Sequence, residues 1–205
     1  MNFYSQQSED VILWKKYLNY KNGFFIELGA MDGVIYSNTK FFEDSLGWTG
    51  ILIEPEKNQF QRLKQNRPNC ILSDYAISEV DGEVIFNTRN GGDSGGGIAD
   101  RHIDETIREE DNIKLLSKPF TKLLWELGKP ERVDLFVIDV EGGELGILKT
   151  FDWGIPVYII CIETHPANKD YEECKKILIE NGFEYDMPLG INEVWINKKN
   201  KREDK

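Results

Sequence analysis

Apolar residues along the chain gather in short runs separated by amphipathic stretches. Phe24-Phe25-Ile26-Glu27-Leu28, Gly50-Ile51-Leu52-Ile53 and Cys70-Ile71-Leu72-Ser73 are such runs, each bounded by turn residues, and each predicts a buried strand. Between them the apolar positions recur at helical spacing. Val11, Trp14 and Leu18 predict a helix over 8–20 with Ser8 at its start. Phe41, Phe42 and Leu46 predict a helix that Ser37 or Asn38 caps and Gly47 ends. Phe60 and Leu63 mark a third helix over 56–66, introduced by Pro55. Strand, helix, strand, helix, strand, with connections long enough for crossovers, predicts an α/β fold with a parallel sheet covered on both faces.

The pattern then breaks and resumes. Glu83-Val84-Ile85-Phe86-Asn87 reads as an added strand after the Asp81-Gly82 turn. Asn90-Gly91-Gly92-Asp93-Ser94-Gly95-Gly96-Gly97 has five glycines in eight residues. It suits either a surface loop or a mobile loop over a site, and it is no P-loop, since no Gly-Lys-Ser/Thr follows. Residues 98–118 are polar and charged and are expected to form one helix. A helix over 120–127 stops at Gly128 and Pro130. Strands over 133–140 and 157–162 flank a helix through Leu145, Leu148 and Phe151. Asn168 is the expected cap of a helix through Tyr171, Cys174 and Leu178, and segments 183–187 and 193–197 close the sheet as a strand pair. Residues 1–197 are expected to be one domain, and the charged residues 198–205 a fraying tail.

The strand ends share a chemistry. Glu27 and Asp32, Glu54, Asp74, Asp139 with Glu141 and Glu144, and Glu163 with His165 all stand at or just after the C-terminal ends of predicted parallel strands. In an open α/β sheet those ends form one rim, where ligands bind. The first loop reads Glu27-x-Gly29-x-x-x-Gly33 with Asp32 inside it. A dinucleotide fingerprint needs Gly-x-Gly-x-x-Gly, and extra acids repel a pyrophosphate. Acids suit a cationic, hydroxyl-rich ligand instead. S-adenosylmethionine has an amino group, a sulfonium and a ribose diol, and no phosphate. Glu54 ends the second strand, where an acid accepts hydrogen bonds from ribose hydroxyls; a solvated or helix-start carboxylate is the plainer alternative.

Charge narrows the partners. The chain has 36 acidic and 25 basic residues, a net charge of −11. That argues against a general nucleic-acid or anionic-membrane binder. Cys70, Cys161 and Cys174 lack metal-site spacing and are expected to be free thiols. No cationic-then-apolar leader opens the chain and no apolar run reaches membrane-spanning length, so a cytoplasmic location is expected.

Taken together, Glu27-Leu-Gly-Ala-Met-Asp-Gly33, Ser37-Asn-Thr39, Ile53-Glu-Pro55, Tyr75-Ala-Ile-Ser78 and Ile138-Asp-Val-Glu-Gly-Gly-Glu144 resemble the FkbM-type family of S-adenosylmethionine-dependent methyltransferases. The resemblance spans roughly residues 5–197, with the Asp-Val-Glu-Gly-x-Glu element its most specific part. It implies the Rossmann-like class I fold, a mostly parallel seven-stranded sheet with an antiparallel last strand and helices on both faces. It also implies O-methylation of a hydroxyl on a sugar, glycan or glycosylated metabolite. Carried over by position, Glu27, Gly29, Ala30 and Gly33 would form the turn around the methionine part. Asp32 could hold its amino group, and Ser37 and Asn38 would contribute to the same pocket. Glu54, with Pro55 beside it, would meet the ribose, and Asp74, Tyr75 and Ala76 the adenine.

For the chemistry, an acceptor hydroxyl must lose its proton as it is aligned for displacement. Asp139 is the first candidate for that base or for positioning the acceptor, and His165 the second; a histidine hydrogen-bonded in the turn before Pro166 is its alternative. Some sugar O-methyltransferases of this general fold hold Mg2+ with acids at these strand ends, which makes Asp139, Glu163 and His165 metal candidates. The acidic pair such enzymes place after the following strand is not reproduced, since the run here is Glu163-Thr164-His165. The alternative for Glu141 and Glu144 is to cap the next helix, where negative charge near the N-terminus is favourable. Other readings stay open: a methyltransferase of another small molecule or of protein, an NAD-type oxidoreductase, or a catalytically silent binding domain. The glycine-rich loop and residues 98–118 are expected to shape the acceptor pocket.

Overall fold

A computed structural model describes residues 1–89, 95–100, 108–163 and 168–202. The elements in chain order are α1 (Glu9–Lys16), β1 (Phe24–Leu28), α2 (Lys40–Leu46), β2 (Thr49–Ile53), α3 (Lys57–Asn66), β3 (Ile71–Ser73), β4 (Ala76–Ile77), β5 (Gly82–Asn87) and β6 (Gly97–Ile98). The second half adds β7 (Asn112–Lys118), α4 (Phe120–Glu126), β8 (Val133–Ile138), α5 (Glu144–Thr150), β9 (Val157–Glu163), α6 (Tyr171–Glu180), β10 (Glu184–Leu189) and β11 (Asn192–Ile196).

The main sheet runs β10-β11-β9-β8-β1-β2-β3. β1 lies parallel to β2 and β8, β2 to β3, and β8 to β9. Only β11 runs against its neighbours in this sheet. This is the seven-stranded sheet with an antiparallel last strand that the resemblance implies. Side chains alternate between its two faces. Ile26, Ile51, Phe136 and Ile160 pack with α4, α5 and α6, while Phe25, Leu52, Leu135 and Ile159 pack with α1, α2 and α3. Both faces are therefore apolar, which explains why the strands read as near-continuous hydrophobic runs.

Register decides where the acids fall. Glu27 stands level with Leu52 and Val137, so its side chain enters the core layer facing α2 and α3. At the other half, Ile138 pairs with Ile162, which sets Asp139 beside Glu163 at the rim.

One expectation gives way. The segment 98–118 is not one helix where it is described: Glu109–Asp111 is a single 3-10 turn. Asn112–Lys118 is a strand, antiparallel to β5 along its whole length, in a second sheet ordered β4-β7-β5-β6. A helix there would leave the polar edge of β5 unpaired. Of the tail expected to fray, residues 198–202 are described. Lys198–Asn200 is a 3-10 turn, and Arg202 clamps Asp134 in β8, with Nε on Oδ1 at 2.9 Å and Nη2 on Oδ2 at 2.7 Å. Asp134 has no exposure, so its charge needs such partners, and Arg132 gives it another. Cys70, Cys161 and Cys174 are free thiols. Among the described residues no helix is long and apolar enough to cross a membrane.

Candidate active site

At the β1 end of the rim the acids are spoken for. Glu27 is buried and accepts from Asn38 N at 2.7 Å, from Ser37 Oγ at 3.0 Å and from Thr39 Oγ1. The guanidinium of Arg67, which has no exposure, lies 3.9 Å from the same carboxylate. Arg67 also donates to Gly33 O, Ser37 Oγ, Thr39 Oγ1 and Glu43. One buried cation thus ties the first loop to the start of α2, and a buried charge is tolerable because every arm of it is bonded. Asp32 turns back into the loop, its Oδ1 accepting from Val34 N and Ile35 N at 2.8 Å each. Glu54 accepts from Met31 N and Glu56 N, both at 2.8 Å. Its burial pushes the carboxyl up to about 7 against the pull of those two amides.

Gly29 joins the two halves of the rim. Its φ is 75°, and a Cβ there would lie 1.9 Å from the carbonyl oxygen of Asp139. Only glycine permits that approach.

At the β8 and β9 end the acids crowd one another. Oxygens of Asp139, Glu141 and Glu163 lie within 4.8 Å of each other, a grouping that could hold a cation. Burial first, and then the Glu141 charge, raises the Asp139 carboxyl. Burial first, and then Asp139, raises Glu163. Glu163 Oε2 is buried with no hydrogen-bond partner. Glu144, by contrast, is structural: it accepts from Gly142 N at 3.1 Å and from Asn168 Nδ2 at 3.0 Å.

These groups surround a cavity of about 260 Å³. A smaller, mostly apolar recess adjoins it, lined by Gly29, Glu54, Pro55, Tyr75 and Ala76 from the main rim and by Phe86, Gly96 and Ile98 from the second sheet. Backbone strain clusters here. Of the six described non-glycine residues with positive φ, four (Met31, Tyr36, Arg89 and Glu141) line the larger cavity. Such strain persists only where surrounding structure holds it.

The structure brings together most of the residues singled out from the sequence. Glu27, Gly29, Ala30, Ser37, Asn38, Glu54, Asp139 and Glu163 line the larger cavity, and Pro55, Tyr75 and Ala76 the recess. Asn38 Oδ1 is buried there without a partner. Three do not reach either space. Asp32 is used by its own loop, Gly33 lies under Leu63 and Arg67, and Asp74 is exposed to solvent. His165 lies outside the described residues. Sequence reasoning passed over Arg67, Glu56, Tyr36, Phe86 and Ile191. Glu56, an acid two residues after Glu54, was the only one with a visible signal. The glycine-rich loop contributes through Gly95 and Gly96, while residues 90–94 lie outside the described residues.

The model of one sequence family, the methyltransferase FkbM domain, matches residues 27–185. Among solved structures, the methyltransferase FkbM of Methylobacillus flagellatus KT is similar, with a TM-score of 0.54 and 12% identity over 85% of this chain and 43% of that one. This chain therefore spans less than half of that protein. A TehB-like SAM-dependent methyltransferase of Corynebacterium glutamicum ATCC 13032 has a TM-score of 0.48 and 9% identity, over 96% of this chain and 89% of that one. Aeropyrum pernix fibrillarin, solved with natively bound S-adenosyl-L-methionine, has 0.47 and 14%, over 94% and 73%. No curated protein matches the sequence.

Proposed function

The chain belongs to the methyltransferase FkbM domain family, and from that premise we propose that it methylates a hydroxyl of a sugar, glycan or glycosylated metabolite, using S-adenosylmethionine. Residues 1–197 would act in this as one domain. The observation that carries the reading is the acidic share of the cavity wall: among the described lining residues six carboxylates, Glu27, Glu54, Glu56, Asp139, Glu141 and Glu163, stand with the unpartnered Asn38 Oδ1 against one guanidinium, Arg89, a balance that disfavours a phosphate.

The residues fit that group. Asn38 Oδ1 would accept from its amino group. Glu54, whose oxygens keep lone pairs beyond those facing Met31 and Glu56, would accept from the ribose hydroxyls. The apolar recess with Tyr75, Ala76 and Phe86 would take the adenine. When bound, S-adenosylmethionine supplies an electrophilic methyl group on a sulfonium.

The protein's own part is to align the acceptor oxygen and take its proton. Asp139 is the base in this reading. Its carboxyl is raised by burial, which strengthens it as a proton acceptor. Glu163, pushed up by burial and by Asp139, would hold the proton the pair shares and leave Asp139 free to receive another. Mg2+ gains no support from the family match, and the reading runs without it.

The test is transfer of an isotopically labelled methyl group to a panel of glycosides, glycans and glycosylated small molecules, with the product bond identified. The expected product is an O-methyl ether. Label found only on nitrogen, carbon or protein would contradict the assignment.

A further inference from the structure

One side of the larger cavity's wall is apolar and open. Ile35, Tyr36 and Ile191 line it, yet stay 51%, 48% and 44% exposed. Large apolar groups left in water around a polar cavity mark a binding surface. The chain holds them in place. Tyr36 has a φ of 60°, a left-handed backbone unfavourable for a bulky residue, and a parallel bridge to Ser5 fixes it there. Ile191 sits in the β10–β11 turn, between Gly190 and Asn192. A Cβ on Gly190 would lie 1.9 Å from Gln7 Oε1, and Asn192 Nδ2 donates to Glu9 Oε1 at 3.2 Å. Residues 5–9 therefore brace both parts of the wall, and Gln6 lines the cavity with them.

The charges around this cavity are lopsided. Among the described lining residues, Glu27, Glu54, Glu56, Asp139, Glu141 and Glu163 stand against Arg89, with Arg67 behind the wall beside Glu27. A phosphate brought beside an ionised carboxylate is repelled, and an ammonium is attracted. Glu163 is 8% exposed, and its unpartnered Oε2 suits a hydroxyl or amino group.

We propose, building on the O-methylation reading above, that this wall receives the acceptor, and that the acceptor is a neutral or amino-bearing sugar ring. Its carbon face lies on Tyr36, Ile35 and Ile191. Sugar phosphates and sugar nucleotides are refused. This moves acceptor selection from the glycine-rich loop to the two ends of the chain.

Calorimetry in the presence of S-adenosylhomocysteine, which cannot donate a methyl group, separates acceptor binding from turnover. The probes are methyl glycosides of glucose, galactose and mannose, their 2-amino counterparts and their 6-phosphates. Glycosides and amino glycosides are expected to bind, and 6-phosphates at least about tenfold more weakly, a gap of roughly 1.4 kcal/mol. Tyr36→Ala and Ile191→Ser should each weaken glycoside binding about tenfold, Tyr36→Phe should restore it, and the affinity for S-adenosylhomocysteine should stay constant. A 6-phosphate that binds as tightly as its parent overturns the proposal. So does a wild-type protein that binds S-adenosylhomocysteine but no glycoside, or full glycoside affinity in Tyr36→Ala and Ile191→Ser. Failure of the broader reading looks different: the wild-type protein would not bind S-adenosylhomocysteine at all, and both proposals would fall together.

Discussion

Glu27 and Glu163 stand at the C-terminal ends of neighbouring regions of one sheet, yet their surroundings differ in kind. Glu27 has Asn38 N, two hydroxyls and Arg67 around it. Glu163 has Asp139 and Glu141 around it, and one oxygen with no partner. The first half of the rim spends its acids on building a loop: Glu27 on the start of α2, Asp32 on its own turn, Glu54 on Met31 and Glu56. The second half leaves its acids short of donors, so burial and mutual repulsion raise their affinity for protons. The same residue type at the strand ends is scaffold where donors converge and a candidate for chemistry where they do not.

Breaking the scaffold half should cost most. Arg67→Met leaves Glu27 and Glu43 without their buried cation, and should lower the free energy of unfolding by about 3–5 kcal/mol, measured by urea titration. A variant as stable as the parent would mean that this half is held by something else. The chemistry half should respond in the opposite way. Asp139→Asn should cut turnover by at least about 100-fold while stability and S-adenosylmethionine affinity hardly move. Undiminished turnover would remove Asp139 from the role of base.

Glu54 sharpens the contrast, because it is bonded yet still costly to ionise. Folded, it keeps its proton to about 7, against an ordinary value of 4.5. Between those values the folded state binds more protons than the unfolded state. Stability therefore falls as pH rises across that window. Glu54→Gln should flatten this part of the stability–pH curve, and an unchanged slope would show that Glu54 does not contribute to it. The smallest expected effect is that of EDTA, which should leave turnover within about twofold of its starting value. A loss reversed by Mg2+ would reassign Asp139, Glu141 and Glu163 to a metal.

Much of this was legible in the sequence. Strands buried on both faces read as hydrophobic runs, so the sheet and its acidic rim are legible in the residue pattern. What could not be read was which acids are satisfied. That depends on Arg67, which reaches Glu27 only because α3 folds back over the first loop. Nothing in the neighbours of Asp32 announces that its Oδ1 turns onto Val34 N and Ile35 N. Asp74 looked like its equivalents but faces solvent. Strand β7 was missed because Ile113, Lys114 and Leu116 are all exposed, so no clean alternation of buried and solvent-facing positions survives. The wall of Tyr36 and Ile191 joins residues from opposite ends of the chain, a juxtaposition only the fold creates.

The most direct test of the account is a calorimetric titration of the wild-type protein with S-adenosylmethionine and, separately, with NAD+. A cavity whose described lining carries six carboxylates and one guanidinium should bind S-adenosylmethionine at one site and give no heat with NAD+. Comparable binding of NAD+, or none of S-adenosylmethionine, would contradict it.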